Sequence, residues 1–312
     1  MSVYLVTGGG GFIGSHIVRR LLSEGRRVRV LDDFSTGRRQ NLADIKNDIE
    51  LLEGDICHAP TAKSACEGVD TVFHLAARTS VPRSVEAPAE TNETNVTGTL
   101  RMLIAARDAG ARRFVNTSSS APYGDTPTLP KVESMAPTPL SPYAVAKLAA
   151  EFYCSCFSRL YGLSTVSLRY FNVFGPRQDP KSAYAAVIPA FVSAMVKGER
   201  PVVFGDGEQS RDFCYIDNVV DANLLAAKAE RLAGEVVNVA CGERTTLNEM
   251  IGLIQRELGV DIQPIYRAPR AGDVKHSLAG LNEARRLIGY TPKVLFAEGL
   301  RRSIAWYRAH VD

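Results

Sequence analysis

Tyr143 and Lys147 stand four residues apart in the run Ser141-Pro142-Tyr143-Ala144-Val145-Ala146-Lys147. Residues at i and i+4 share one face of a helix, so a phenol and an ammonium are set side by side. A neighbouring cation favours phenolate, and a tyrosine that titrates near ~10 in water can then act as a base closer to neutrality. Near the start of the chain, Gly8-x-x-Gly11-x-x-Gly14 spaces three glycines at the interval of a dinucleotide fingerprint. Glycine is wanted there because the backbone turns tightly and must approach a pyrophosphate, which then meets free N–H groups at a helix N-terminus. Without a ligand the same residues would be a plain strand-to-helix turn. A base and a dinucleotide site in one chain point to hydride transfer.

Asp32 lies about twenty residues beyond the glycines, where a carboxylate accepts hydrogen bonds from both ribose hydroxyls. A 2′-phosphate would meet like charge there, so NAD is expected rather than NADP. Arg38 and Arg39 follow and work against that preference. Asp55-Ile56 reads in two ways, as an adenine contact or as a polar strand end before a core isoleucine. The run Thr117-Ser118-Ser119-Ser120 is also open to two readings. Its hydroxyls could donate to an oxygen gaining negative charge at the edge of a sheet, or form a serine-rich turn.

The elements that must hold these groups are legible as alternation. Short β-branched runs at 3–7, 27–32, 49–53, 71–75, 113–118 and 165–170 read as strands. Apolar residues at helical spacing fill 13–24, 92–109 and 142–161, with Gly25, Gly110 and Gly162 placed as left-handed C-caps. The pattern predicts an α/β fold, a Rossmann-like doubly wound parallel sheet with a smaller α/β substrate-binding lobe. Proline and glycine punctuate 181–207, where the second lobe is expected to begin. The expected division is a dinucleotide lobe over 1–175, with a return segment near 214–240, and a substrate lobe over 176–312. Helices are predicted at 218–229, 246–258 and 282–287.

The 312 residues suffice for a full core, and 37 basic against 34 acidic residues leave a net charge of +3 with the signs interspersed. That balance gives no case for a nucleic-acid or membrane partner. Six cysteines without a C-x-x-C pair show no zinc spacing, so no metal is expected, and reduced thiols are the reading. The apolar start Val3-Tyr4-Leu5-Val6 runs into glycine, too short for the core of a secretory leader, and no run reaches membrane-span length. A soluble, cytoplasmic protein is expected.

Further motifs make the chain resemble an extended short-chain dehydrogenase/reductase, within the NDP-sugar epimerases of the UDP-glucose/UDP-N-acetylglucosamine 4-epimerase group. Besides the glycines, Asp32 and Tyr143-x-x-x-Lys147, these are His74-Leu75-Ala76-Ala77, Asn95-Val96-x-Gly98-Thr99 and the serine run with Tyr123-Gly124-Asp125. The second half adds Arg169-Tyr170-Phe171-Asn172-Val173-Phe174-Gly175-Pro176, Gly205-Asp206-Gly207, Arg211-Asp212-Phe213 and Arg270-x-Gly272-Asp273.

The resemblance implies that Tyr143 is the base, that Lys147 tunes it and holds a ribose, and that the catalytic hydroxyl is Ser119, four residues before Tyr123. Ser118 and Ser120 adjoin it in the substrate-contact set. Phe12, Ile13, Leu75, Ala76, Ala77 and Asn95 join the cofactor contacts. Asn172, Arg211, Arg270 and Asp273 are implied to grip a nucleoside diphosphate, with Val187, Val202 and Phe204 beside them. Relatives that dehydrate or decarboxylate the sugar carry an acid two residues before the tyrosine matching Tyr123, and here that residue is Ala121. Ser277 falls where the family gates the sugar's C2 substituent, and its small size leaves room for an N-acetyl group. The expected activity is therefore NAD-dependent inversion at C4 of a UDP-sugar, UDP-GlcNAc/UDP-GalNAc first and UDP-Glc/UDP-Gal also accepted. The alternatives are a UDP-glucuronate 4-epimerase, another sugar-nucleotide oxidoreductase, or a non-catalytic NAD-binding regulator on the same fold. The family often dimerises through helices matching 92–109 and 142–161, so a homodimer is expected.

Overall fold

Runs such as Val28-Arg29-Val30-Leu31 bury nearly every side chain, as a strand covered on both faces must. The computed structural model describes residues 2–179, 187–230, 232–269 and 275–310. Among them, seven parallel strands make the central sheet: β1 (Val3–Thr7), β2 (Arg27–Asp32), β3 (Ile49–Glu53), β4 (Val69–His74), β5 (Arg113–Ser119), β6 (Ser164–Tyr170) and β7 (Glu235–Val239). Their spatial order is β3-β2-β1-β4-β5-β6-β7. The chain winds one way from β1 and the other way from β4, so a crevice opens at the carboxyl ends of these two strands. The six strands expected from the sequence are present, the fourth shifted two residues earlier than 71–75.

Helix Pro142–Tyr161 is fixed at both ends by its own residues. The Ser141 hydroxyl accepts the Ala144 N–H at 3.2 Å, and Gly162 ends the helix at φ 71°. The expected helix 92–109 forms with one irregularity, a π turn at Glu93–Gly98 before the α-helix Thr99–Asp108. Gly98 is required on that turn, because a Cβ there would meet the Ile56 side chain at 2.6 Å.

The return segment is helix Ile216–Lys228 followed by β7, which pairs with β6 at the far side of the sheet. Short pairings join stretches before this segment to stretches after it. Val202–Phe204 pairs with Ile265–Arg267, and Ser210–Arg211 with Thr245–Thr246. Helices Val187–Val196 and Phe296–His310, unmarked in the sequence reading, pack their apolar faces into the same core as β1, β6 and β7. Among the described residues, no helix is long and apolar enough to cross a membrane.

Candidate active site

The glycine loop follows β1 and opens into helix Phe12–Ser23. Gly8 has φ +69°, and a Cβ on it would lie 2.7 Å from the Ala76 backbone nitrogen. A Cβ on Gly14 would lie 2.2 Å from the Gly8 carbonyl oxygen, so the helix can approach the loop only with glycine there. Gly11 is different. Its only near neighbour would be the Gly8 carbonyl at 3.1 Å, and it caps the helix without any side-chain bond. The first N–H groups of that helix therefore border a cavity of about 800 Å³ that runs along the carboxyl ends of the strands.

Gly8, Gly11, Phe12, Ile13, Gly14, Asp32, Asp55, Ile56, Leu75, Ala76 and Ala77 all line this cavity. The Asp32 carboxylate accepts the Gly10 and Phe34 N–H groups, one on each oxygen at 2.8 Å, and keeps further lone pairs for a ligand. Burial raises its pKa above the ordinary carboxylate value, and those two bonds oppose the rise. Arg39 is drawn away from it, stacked 4.2 Å over Phe34 and paired with Glu53. Arg38 lines the cavity and pairs with Asp179 on the opposite rim. Ile56 is both a lining residue and a member of the apolar core.

His74, at the end of β4, sets the loop that follows. Thr99 gives its hydroxyl proton to the Asn95 carbonyl at 2.7 Å, so its oxygen accepts from His74 Nε2 at 3.0 Å. His74 Nδ1 then accepts from the Thr7 hydroxyl at 2.9 Å, and the Thr7 oxygen receives the Leu75 and Ala76 N–H groups. Full burial holds this imidazole neutral, pushed down to about 3, with the Lys147 charge adding to the effect. Asn95, expected among the cofactor contacts, stands behind that loop instead. It is 1% exposed, does not line the cavity, and clasps the Arg78 peptide through Oδ1 at 2.7 Å and Nδ2 at 2.9 Å.

The chemistry-bearing cluster forms where β5 meets helix Pro142–Tyr161. Alternation along β5 points Ser118 and Ser119 to opposite sides. Ser118 donates to buried Glu151 at 2.5 Å. Ser119 accepts the Ala121 N–H at 3.1 Å and shares a side-chain hydrogen bond with Tyr143, which pulls the phenol towards its ionised form. Burial works the other way and dominates, so the Tyr143 phenol lies above its ordinary value. The i, i+4 geometry holds, yet the Lys147 ammonium donates to the Thr117 carbonyl at 2.7 Å rather than to the phenol. Burial lowers Lys147 to about 8, with Glu151 pulling it back up. Ser120 lines the same cavity.

A second cavity, about 290 Å³, opens beyond Asn172, which lines both. Val187, Val202, Phe204 and Arg211 converge on it, as the sequence reading grouped them, with Phe191 and Phe213 adding apolar wall. Arg211 is oriented by the Ser210 and Lys275 carbonyls at 3.1 and 3.0 Å. Ser277 reaches this junction indirectly. It lines neither cavity, and its hydroxyl accepts from Asn172 Nδ2 at 3.3 Å. Arg270 and Asp273 lie outside the described residues.

A model of the "NAD dependent epimerase/dehydratase family" matches residues 4–240. This chain belongs to the NAD-dependent epimerase/dehydratase family. A UDP-glucose 4-epimerase of Mycolicibacterium smegmatis is 39% identical over 308 residues, 97% of this chain and 98% of its own. A solved UDP-N-acetylglucosamine 4-epimerase of Methanobrevibacter ruminantium M1, in complex with UDP-N-acetylmuramic acid, superposes with TM-score 0.94. It is 42% identical, over 99% of this chain and 98% of that one. A UDP-glucose 4-epimerase of Thermus thermophilus in complex with NAD superposes with TM-score 0.89, at 35% identity over 99% of this chain and 100% of that one.

NAD is the cofactor of this epimerase/dehydratase-family member, and its residues fit one. The space that a Cβ would fill at Gly8 and Gly14, the bare helix N-terminus after Gly11 and the two-oxygen acceptor Asp32 suit a pyrophosphate and an adenosine ribose. Several cavity residues escaped the sequence reading, among them Arg78, Arg83, Arg177 and Gln178. Their only signal is position, directly after the His74-Leu75-Ala76-Ala77 and Gly175-Pro176 motifs. Asp212 was also missed as a structural centre. It accepts the Cys241, Gly242 and Ala279 N–H groups at 2.8, 2.9 and 3.1 Å and so fastens three segments under the second cavity.

Proposed function

We propose that this enzyme inverts C4 of a UDP-sugar, with UDP-GlcNAc and UDP-GalNAc as the preferred pair and UDP-Glc and UDP-Gal also accepted. The observation that carries this reading is Asn172. It joins the cavity holding the glycine loop, Ser119 and Tyr143 to an apolar pocket flanked by Arg211. A sugar at that junction has the base and hydroxyl on one side and room for a nucleoside diphosphate on the other. We read 1–175 with the return segment near 214–240 as the NAD lobe, and 176–312 as the UDP-sugar lobe.

In this reading Ser119 and Tyr143 meet the C4 hydroxyl, and Tyr143 takes its proton. Lys147 spends one of its three protons on the Thr117 carbonyl and keeps the others for a ribose hydroxyl. Bound NAD would accept the C4 hydride and give it back, so no net redox change results. The sugar turns over as a 4-keto form while Asn172 and Arg211 retain its UDP, so that the hydride would come back to the opposite face of C4, and Tyr143 returns the proton to the C4 oxygen. The acids lining the larger cavity are Asp32, Asp33, Asp55 and Asp179, none of them on β5 or the turn after it. With Ala121 there, elimination across C5 and C6 lacks its acid–base pair. The N-acetyl preference is supported by the UDP-N-acetylmuramic acid held by the Methanobrevibacter relative, and Ser277 bears on it only through its bond to Asn172.

A homodimer suits the outer face of helix Pro142–Tyr161, where Val145, Phe152 and Leu160 are 53, 60 and 72% exposed along one stripe. The deciding experiment incubates the purified protein with UDP-GlcNAc and UDP-glucose separately and identifies each product. UDP-GalNAc and UDP-galactose are expected. An oxidised, dehydrated or decarboxylated sugar would overturn the reading.

A further inference from the structure

Behind the serine turn lies a buried charge cluster that the reaction described above does not use. The Arg169 guanidinium, on β6, donates through Nε and Nη2 to the two oxygens of Glu151 at 2.8 and 2.7 Å. The two side chains are only 4 and 3% exposed. Ser118 adds a third donor to Glu151. Glu151 stands one helical turn after Lys147 on the same helix, as Lys147 stands one turn after Tyr143. A Lys and a Glu at that spacing ordinarily pair. Among the described residues no ion pair joins them, and Lys147 turns to the Thr117 carbonyl instead. The planar fork of Arg169 has taken the carboxylate in the geometry that arginine holds best.

The count of charge is informative. Lys147, Glu151 and Arg169 are two cations and one anion, and Glu151 is the one carboxylate bonded within the cluster among the described residues. His74 on β4 is neutral, the Cys154 thiol is pushed up to about 12 by burial, and Tyr170 and Tyr123 are likewise raised to about 12. Glu133 faces Arg169 from beyond Tyr123 without bonding it; burial raises its carboxyl, and the Arg169 charge pulls it back down. On the cavity side, Arg78 adds positive charge, while Arg83 is paired with Glu86 and Glu90. The anion the cluster lacks is the one the reaction must make, the Tyr143 phenolate.

We propose that Arg169 is a positioning residue for the base: by holding both oxygens of Glu151 it keeps that carboxylate from pairing with Lys147 and so keeps the Lys147 cation available to Tyr143. This rests on Tyr143 being the base. Taking away Arg169 brings the cluster to neutrality and makes phenolate harder to form. Taking away the Glu151 charge leaves two cations and makes it easier. A merely structural pair would not produce opposite signs.

The test is the pH dependence of kcat for UDP-GlcNAc in the full chain with NAD bound, comparing Arg169→Gln, Glu151→Gln and Arg169→Lys. The ascending limb is expected to move up by about half a unit or more in Arg169→Gln and down by a similar amount in Glu151→Gln, a fraction of the shift a direct charge contact gives. Arg169→Lys is expected to keep the wild-type limb. Tyrosinate absorbance, taken as the difference from the Tyr143→Phe protein, reads the same shift where turnover is lost. If one Gln variant does not fold, the direction in the other decides. Shifts of the same sign, or a uniform fall in kcat with the limb unmoved, would overturn the proposal. Turnover retained by Tyr143→Phe would sink the assignment of the base instead, and is read separately.

Discussion

Ser118 and Ser119 are neighbours in sequence with opposite duties, the first hydroxyl bonded to Glu151 beneath the strand and the second to Tyr143 above it. Ser119→Ala is expected to lower kcat at least about tenfold, because it removes a donor aimed at the reacting oxygen. Ser118→Ala is expected to cost about 1 kcal/mol of stability, for one lost buried hydrogen bond, and to leave kcat within a few-fold. Parallel kinetics and thermal melts on both variants check this. A larger kcat loss in Ser118→Ala would exchange the two roles.

Asp32 decides between the two nicotinamide cofactors. Both carboxylate oxygens are already oriented by backbone N–H groups, so a ribose diol meets a preset acceptor and a 2′-phosphate meets a fixed negative charge. Cofactor released from the purified protein by denaturation is expected to be NAD. Asp32→Ala is expected to weaken NAD binding at least about tenfold, since a charged group's hydrogen bonds are worth ~1.5–3 kcal/mol. Recovery of mostly NADP from the wild type would refute the assignment.

Ser277 acts through Asn172, which lines both cavities. In Ser277→Tyr the ring must displace that amide and occupy the junction, and overpacking of this kind costs on the order of 1–3 kcal/mol. UDP-GlcNAc turnover is expected to fall at least about tenfold while UDP-glucose is largely spared. Equal losses on the two substrates would reduce Ser277 to a packing position.

Stability should fall in mild acid because of one buried and one half-buried histidine. His74 is held near 3 and His16 near 4, both from an ordinary value of 6.5. Below 6.5 the unfolded chain binds protons that the folded chain refuses, so stability present above that pH is lost as the pH drops. At pH 5 a fully buried imidazole of this kind withdraws about 2 kcal/mol. Asp212, raised to about 6 by burial, opposes this, since its folded carboxyl binds a proton before the unfolded one does. The net expectation is a melting temperature several degrees lower at pH 5 than at pH 7.5, with a flatter dependence in His74→Gln. Equal slopes in the two proteins would remove His74 from the account.

What could be seen in the sequence is what local chemistry dictates. Val30 and Leu31, neighbours that point to opposite faces, announce a strand buried on both, and Ser141 and Gly162 bound a helix by capping alone. The glycine loop, Asp32, Tyr143 and Lys147 are legible because each spacing has a geometric reason. The hidden part depends on partners far along the chain. The β-branched run Val236-Val237-Asn238-Val239 went unread as a strand, and its place in the sheet depends on the edge that β6 offers. Asn95 resembles a ligand contact until Arg78 is found against it. Asp212 shows its value only when the N–H groups of Cys241, Gly242 and Ala279 converge on it. Helix Val187–Val196 was obscured by the prolines and glycines around it.

The pairing of β7 with β6 also bears on how the chain is made. A nascent chain that has emerged only as far as Gly175 presents β6 as an open edge, with backbone groups from Val166 to Tyr170 lacking the partner they later acquire. The strand that covers them arrives only after the segment carrying Val202, Phe204 and Arg211 has been synthesised. The sheet is therefore completed late, around an inserted stretch of the other lobe, and fragments cut between Gly175 and Val239 should self-associate rather than fold alone.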